Sequence, residues 1–166
     1  DGFGHQLCAA WESAAVQAES LGIRVCLLRT GLVVGKQGGF LARMLLPFKL
    51  GLGGRIGDGR QWMSWIHLQD HVALTLFLLR TSPARGPFNA TAPNPVTNGE
   101  FTRELADVLK RPAFLPVPAW LLRAAAGEMS ELLLGSQRVL PRQALASGFQ
   151  FSYETLAPAL RDVLTG

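Results

Sequence analysis

Few side chains in this 166-residue chain are of kinds that do chemistry in water, and their spacing narrows the choice further. His67 and His71 lie four apart, but no glutamate flanks them in the H-E-x-x-H manner that would hold zinc beside a general base. No metal site is expected. Cys8 and Cys26 form no C-x-x-C pair and have no histidine in plausible company, so both are expected to be reduced core residues of a cytosolic protein. A G-x-S-x-G nucleophile elbow does not occur. Two glycine-rich stretches look closer to nucleotide chemistry. Thr30 to Gln37 contains Gly35-Lys36, as a P-loop would, yet Thr30 stands where the first glycine belongs and Gln37 where the magnesium-binding hydroxyl belongs. Gly51 to Gly59 (GLGGRIGDG) has no G-x-G-x-x-G register and no strand-to-helix frame, so it reads as a flexible connection. No catalytic residue can be assigned from these patterns.

The elements that must position such residues read as mixed α/β. From Phe3 to Leu21 the apolar residues Leu7, Trp11, Ala14, Ala15, Ala18 and Leu21 recur at helical spacing, and Gly22 stops the pattern as a C-cap. Ile23 to Thr30 follows as a branched apolar run, the signature of a strand buried on both faces of a parallel sheet. A loop leaves its carboxyl end, where open α/β sheets place ligands. A helix is predicted over Phe40 to Leu50, interrupted by Pro47, and a strand over Gln61 to Leu68. Asp70 is expected to be the N-cap of a helix from His71 to Thr81. A short strand around Phe88 to Ala90 comes next. Thr97 and Glu100 form a capping box for a helix through Lys110. Phe114 to Val117 and Phe149 to Phe151 read as short strands, Pro118 to Ala126 and Met129 to Leu134 as helical pieces, and Ser152 to Leu164 as a terminal helix. The elements fall into three segments: 1–39, a helix-strand unit with its loop; 40–96, returning to the sheet; and 97–166, a helix-rich cap.

Composition bounds the partners. The chain is 48% hydrophobic and only 17% charged, against an average charged fraction of about 25%, so it has much to bury. Its net charge of +4 comes from Lys and Arg scattered singly, which weighs against a nucleic-acid binder and suits an anionic cofactor or substrate. No run of about 18 apolar residues could cross a bilayer, and no signal pattern opens the chain, so a cytoplasmic location is expected. The first residues enter a helix with no strand before it, from which an earlier half of the same protein is expected.

Several segments taken together resemble a known family. They are L-C-x-x-W-E at Leu7 to Glu12, L-R-T-G-L-V-V-G at Leu28 to Gly35 and L-L-P-F-K-L-G-L-G-G at Leu45 to Gly54. Further on come G-D-G-R-Q at Gly57 to Gln61, W-I-H-L-Q-D at Trp65 to Asp70, G-P-F-N at Gly86 to Asn89 and G-E-M-S at Gly127 to Ser130. In these the chain resembles the carboxy-terminal half of the extended short-chain dehydrogenase/reductase superfamily, and most closely its YfcH-like (SulA-like) epimerase family.

The resemblance implies a Rossmann-like doubly wound parallel sheet with a helix-rich substrate-side cap. It further implies a dinucleotide, NADP with NAD as the alternative, lying across the strand ends. The family's phosphate-binding glycine loop follows its first strand, ahead of the region matched here. Gly31, Leu32 and Val33 are then expected to approach the nicotinamide with main-chain groups, although they could simply turn the chain. Arg60, Gln61, Trp62 and His67 are candidates to line a substrate pocket, or else ordinary strand-end residues. Two departures limit the chemistry. The Tyr-x-x-x-Lys dyad of catalytic members would fall on Phe3 or Gly4 and on Leu7 or Cys8, so that proton transfer is not available. The arginine that grips the pyrophosphate of nucleotide sugars is replaced by Met63. The expectation is an oxidoreductase or epimerase-like protein of open substrate, possible as a homodimer through its first helix, or a dinucleotide-dependent binding module without catalysis.

Overall fold

The computed structural model describes residues 3–36, 38–118 and 135–165. Helix α1 (Phe3–Val16) continues as a 3-10 turn, Gln17–Leu21, and stops at Gly22, whose φ of 76° is the left-handed cap its missing Cβ permits. Strand β1 (Cys26–Thr30) and strand β2 (Leu32–Val34) flank Gly31, and helix α2 (Gly39–Lys49) tolerates Pro47 two residues before its end. Strands β3 (Trp62–Met63) and β4 (Trp65–His67) lead directly into helix α3 (Leu68–Arg80). Strand β5 (Gly86–Ala90), strand β6 (Val96–Thr97) and helix α4 (Asn98–Leu109) follow. Helices α5 (Arg142–Ala146) and α6 (Leu156–Thr165) close the chain.

Gly31 is the hinge of the sheet. Before it, β1 runs parallel to β5, with Cys26 opposite Gly86 and Thr30 opposite Ala90; after it, β2 runs parallel to β4, with Leu32 opposite Trp65. The handover shows in two bonds: Gly31 N–H donates to the Ala90 carbonyl at 3.1 Å, and Leu32 N–H to the Ser64 carbonyl at 2.8 Å. A Cβ on Gly31 would fall on that Ser64 oxygen and 2.9 Å from Thr91 Cγ2, so only glycine lets one strand change neighbours here.

Two apolar clusters hold the elements. One joins β2 and β4 to α2, α4 and α6 through Val34, Leu41, Trp65, Phe101, Leu105 and Leu160, all fully buried. The other packs Ile66, Leu74, Leu78, Phe88, Phe149 and Phe151 between the β4–β5 layer and α3. Arg24 braces this second layer by donating to the carbonyls of Leu78, Leu79 and Ala84 at the end of α3.

Several sequence expectations are corrected. Strand β1 is half-buried and then exposed, not buried on both faces, because among the described residues only the face that carries Cys26 and Leu28 packs on an apolar cluster. The Gln61–Leu68 strand is two pieces broken at Ser64, since β3 turns to pair antiparallel with β6. Asp70 is not an N-cap. His67 takes that place, its Nδ1 accepting from Gln69 N–H at 3.1 Å. The capping box at Thr97 and Glu100 is present, and it holds the Glu100 carboxyl below its ordinary range, first through the Thr97 backbone N–H. Residues 114–117 form an isolated bridge, Ile56 to Val117, and 149–151 an irregular stretch packed by its aromatic rings. The terminal helix starts at Leu156, not Ser152, and α5 and β6 had no periodic signal long enough to read. Gly51–Gly59 is not a flexible connection: Gly53 and Gly54 are buried, and a Cβ on either would strike Phe48 or the Leu115 backbone. Cys8 is exposed and Cys26 half-buried, so neither lies in the core. The helical pieces expected in 118–134, the G-E-M-S segment and Gln37 lie outside the described residues, except Pro118.

Candidate functional site

At the carboxyl end of β1 and the start of β2 opens a cleft of about 920 Å³. Strand residues Thr30, Gly31 and Leu32 form its floor, Trp62 and Ser64 one side, and Asn89 and Thr91 another. The far wall is the segment 135–142, an irregular strap that carries Arg138 and Arg142. Side chains from the strands tie this strap down. Ser64 Oγ donates to the Gln137 carbonyl at 2.8 Å and accepts from Val139 N–H at 2.9 Å. Asn89 Nδ2 donates to the Leu140 carbonyl at 3.0 Å, and Trp62 N–H to Ser136 Oγ at 3.1 Å. Ser64 and Asn89 are thereby spent on backbone that has no sheet partner of its own among the described residues.

The cleft is cationic. Among the described residues three arginines line it and no carboxylate does. Arg29 is compensated from behind: its Nε and Nη2 grip both Glu12 oxygens at 2.7 Å, a bidentate pair that holds the Glu12 carboxyl below its usual range. Arg138 lies over the face of Trp62, 4.9 Å from the ring centre. On the opposite side of β1, Thr30 Oγ1 and His71 Nε2 share a hydrogen bond of 3.0 Å.

A second cavity, of about 560 Å³, lies between Lys36, Leu68, Val72 and the last helix. His67 lines it, buried, with Asp162 Oδ2 3.3 Å from its Nε2 but not aligned as a hydrogen bond. Because Nδ1 accepts from Gln69, the neutral ring carries its proton on Nε2. Burial pushes the His67 pKa down, and the charges of Asp162 and Asp70 only partly oppose this. The Tyr153 ring packs against His67 at 4.0 Å, and its hydrogen bond to Asp162, with burial added, raises the phenol above its ordinary value. Asp70, almost wholly buried, accepts from the Ser152 and Tyr153 amides at 2.8 and 2.9 Å, so it clamps the approach to α6.

The sequence candidates therefore separate. Gly31, Leu32 and Trp62 come together in the large cleft. Val33 turns its side chain into the second core cluster. Its main chain is placed differently: Leu32 spends its N–H toward β4, so strand alternation aims the Val33 N–H and carbonyl at the opposite edge. Arg60 is exposed, its N–H bonded to Asp58, and Gln61 is buried with its amide on the Ile56 carbonyl; neither lines the cleft. His67 belongs to the other cavity. Sequence reading missed Ser64, Asn89, Thr91, Arg138 and Arg142. The strap has no periodicity, and its only signal was two arginines four apart.

With this geometry in view, the comparisons with known proteins are specific. Residues 4–90 match the NAD dependent epimerase/dehydratase family, and residues 117–163 match a domain of unknown function, DUF1731. The mouse epimerase family protein SDR39U1 is 44% identical over 164 residues, covering 98% of this chain and 55% of that protein. The crystal structure of human SDR39U1 (isoform 2) with NADPH superposes with a TM-score of 0.83 at 39% identity, over 86% of this chain and 48% of that one. A nucleoside-diphosphate sugar epimerase from Corynebacterium glutamicum gives 0.77 at 30% identity, over 98% of this chain and 31% of that one. The chain thus spans about half the length, or less, of these relatives. The fold is the α/β, Rossmann-like arrangement of parallel strands and helices that these structures share. On the family match over residues 4–90, the chain belongs to the NAD dependent epimerase/dehydratase family.

Proposed function

We propose that this chain forms the nicotinamide-side floor and the substrate-side wall of an NADP-dependent oxidoreductase or epimerase-like protein, with NAD as the alternative cofactor. The observation that carries the reading is the strand exit at Gly31 to Val33. Its Gly31 and Leu32 line a cleft at the carboxyl ends of parallel strands, where nucleotides bind in such sheets, and the relative with a TM-score of 0.83 was solved with NADPH. The residues fit a dinucleotide's nicotinamide end. Leu32 lines the cleft beside Gly31, whose N–H is spent on the Ala90 carbonyl, and Val33 turns an N–H and a carbonyl to the edge of β2 that has no strand partner among the described residues. When bound, the nicotinamide would supply hydride transfer; the protein's own groups would orient it and the substrate. Gly51, Gly54 and Gly57 repeat at intervals of three, but no strand precedes them and Gly54 abuts the Leu115 backbone, so they offer no phosphate cradle. Phosphate binding is assigned instead to a further half of the protein, docked on the open edge of β1 and on α1.

The test is fluorescence titration with NADPH of this chain alone, and of a hybrid joining it to the part of mouse SDR39U1 outside the matched region. We expect negligible affinity for the chain alone, because the glycine loop and helix amino terminus that hold the phosphates in the family it resembles lie ahead of the region matched here, and micromolar affinity for the hybrid. No binding by the hybrid at millimolar cofactor would overturn the reading.

A second reading, a dinucleotide-dependent binding module without catalysis, is favoured by α1. Leu7 and Cys8 stand where the dyad's lysine would be, and no tyrosine lies on the helix. Turnover of carbonyl compounds by the hybrid, abolished by a change in the cleft, would exclude it.

A further inference from the structure

We infer that the cleft takes a substrate bearing a compact anionic group, a phosphate or a carboxylate, held by Arg138 and Arg142. The inference rests on the proposed function in taking the cleft as the substrate site, and it adds the substrate's chemical class. The three arginines of the lining are not equivalent. The charge of Arg29 is met by Glu12 on the helix behind it, whereas Arg138 and Arg142 have no carboxylate within ion-pair distance among the described residues. Two unneutralised guanidinium groups facing one cavity, with no acid among its described lining residues, repel each other and stabilise a shared anion.

The strap that carries them is tied down before any ligand arrives. The indole of Trp62 supports the Arg138 guanidinium from one side, which limits its rotation. Between and beside the two arginines, Val139 N–H and the Leu140 carbonyl are bonded to Ser64 and Asn89, so the strap is held at both strand ends. A guanidinium held flat offers a planar fork to two oxygens, the geometry that suits phosphate and carboxylate. Ser64 and Thr91 commit their hydroxyl hydrogens to the strap and Asn89 one of its two amide hydrogens, which leaves the arginines as the charged donors of the cleft. This grip is not at Met63, where a nucleotide-sugar enzyme of this kind would carry its arginine; it comes from the strap.

The test is a heteronuclear NMR titration of the chain with inorganic phosphate and, separately, with acetate at constant ionic strength, following the Trp62 indole N–H. Saturable millimolar binding of at least one anion is expected, and the tighter of the two identifies the group. Arg142→Gln and Arg138→Gln should each weaken it about tenfold, and Arg142→Lys by less, since charge survives but the fork does not. Lys49→Gln, a cation outside the cleft on α2, should change it less than about twofold. Absence of saturable binding, unchanged affinity in both arginine variants, or an equal loss in Lys49→Gln would each overturn the inference. Arg142 is exposed at the start of α5, so its variant retains a readable fold even if Arg138→Gln does not. No dinucleotide enters the titration, so its failure and the failure of NADPH binding are separate results.

Discussion

The two ends of the molecule differ in how they treat their apolar residues. Around α4 and α6, Phe101, Leu105, Ala159 and Leu160 are fully buried, and Phe40 meets Phe101 edge-on at 5.7 Å. Around α1 and β1, Trp11 is 65% exposed, Leu21 78% and Ile23 55%, and the bidentate pair of Glu12 with Arg29 is the side-chain bond from α1 to the sheet. A third face, the outer side of α3, leaves Leu68, Val72, Leu76 and Leu79 open at helical spacing. One end closes its own core; the other presents apolar surface suited to a covering partner. Such a surface agrees with a protein whose relatives run to about twice this length.

Substitutions at the two ends should sharpen that contrast. Phe101→Ala is expected to cost about 4 kcal/mol in urea unfolding, the usual range for a large cavity in a closed core. Trp11→Ala should cost less than about 0.5 kcal/mol in the chain alone. In the hybrid polypeptide its cost should rise several-fold if α1 is covered there, and no rise would break the comparison. Between the ends, Gly31→Ala should destabilise by about 2–3 kcal/mol, because the added methyl displaces the Ser64 carbonyl from Leu32 N–H. Asp70→Ala should cost about 2 kcal/mol by leaving the Ser152 and Tyr153 amides without their acceptor, and amide exchange at those two residues should report it.

The smallest expected effect is a pH dependence. The folded pKa of His67 lies below its ordinary value, so between that lowered value and about 6.5 the unfolded chain holds a proton the folded one does not. Stability should therefore fall as pH drops below about 6.5 and level off beneath the folded pKa. Melting temperature measured from pH 7.5 to 5 should show this slope, and His67→Asn should flatten it.

Much of the fold was legible where periodicity ran long. Helix α1 with its Gly22 cap, α4 with its capping box, and the parallel strand leading to Gly31 could all be read, since local signals and final structure agree there. Legibility failed where tertiary contacts decide. Asp70 looked like an N-cap because aspartate before a helical pattern usually is one; His67 caps instead, and burial turns Asp70 toward residue 152. Ser64 breaks an apolar run that otherwise reads as one strand, and its hydroxyl finds the strap 73 residues away. At the site, Gly31, Leu32 and Trp62, which the family resemblance marked as candidates, line the cleft. Arg60 and Gln61 do not, since the turn at Gly57–Gly59 carries one to solvent and buries the other. The strap arginines were invisible because nothing in an irregular segment indicates which strand ends it will cross.

Cofactor binding by the hybrid polypeptide is the most direct test of the proposed function. NADPH fluorescence titration of the hybrid polypeptide should give micromolar affinity, with Gly31→Ala weakening it and the 166-residue chain alone showing none. A hybrid that folds yet leaves NADPH fluorescence unchanged at millimolar cofactor would contradict it.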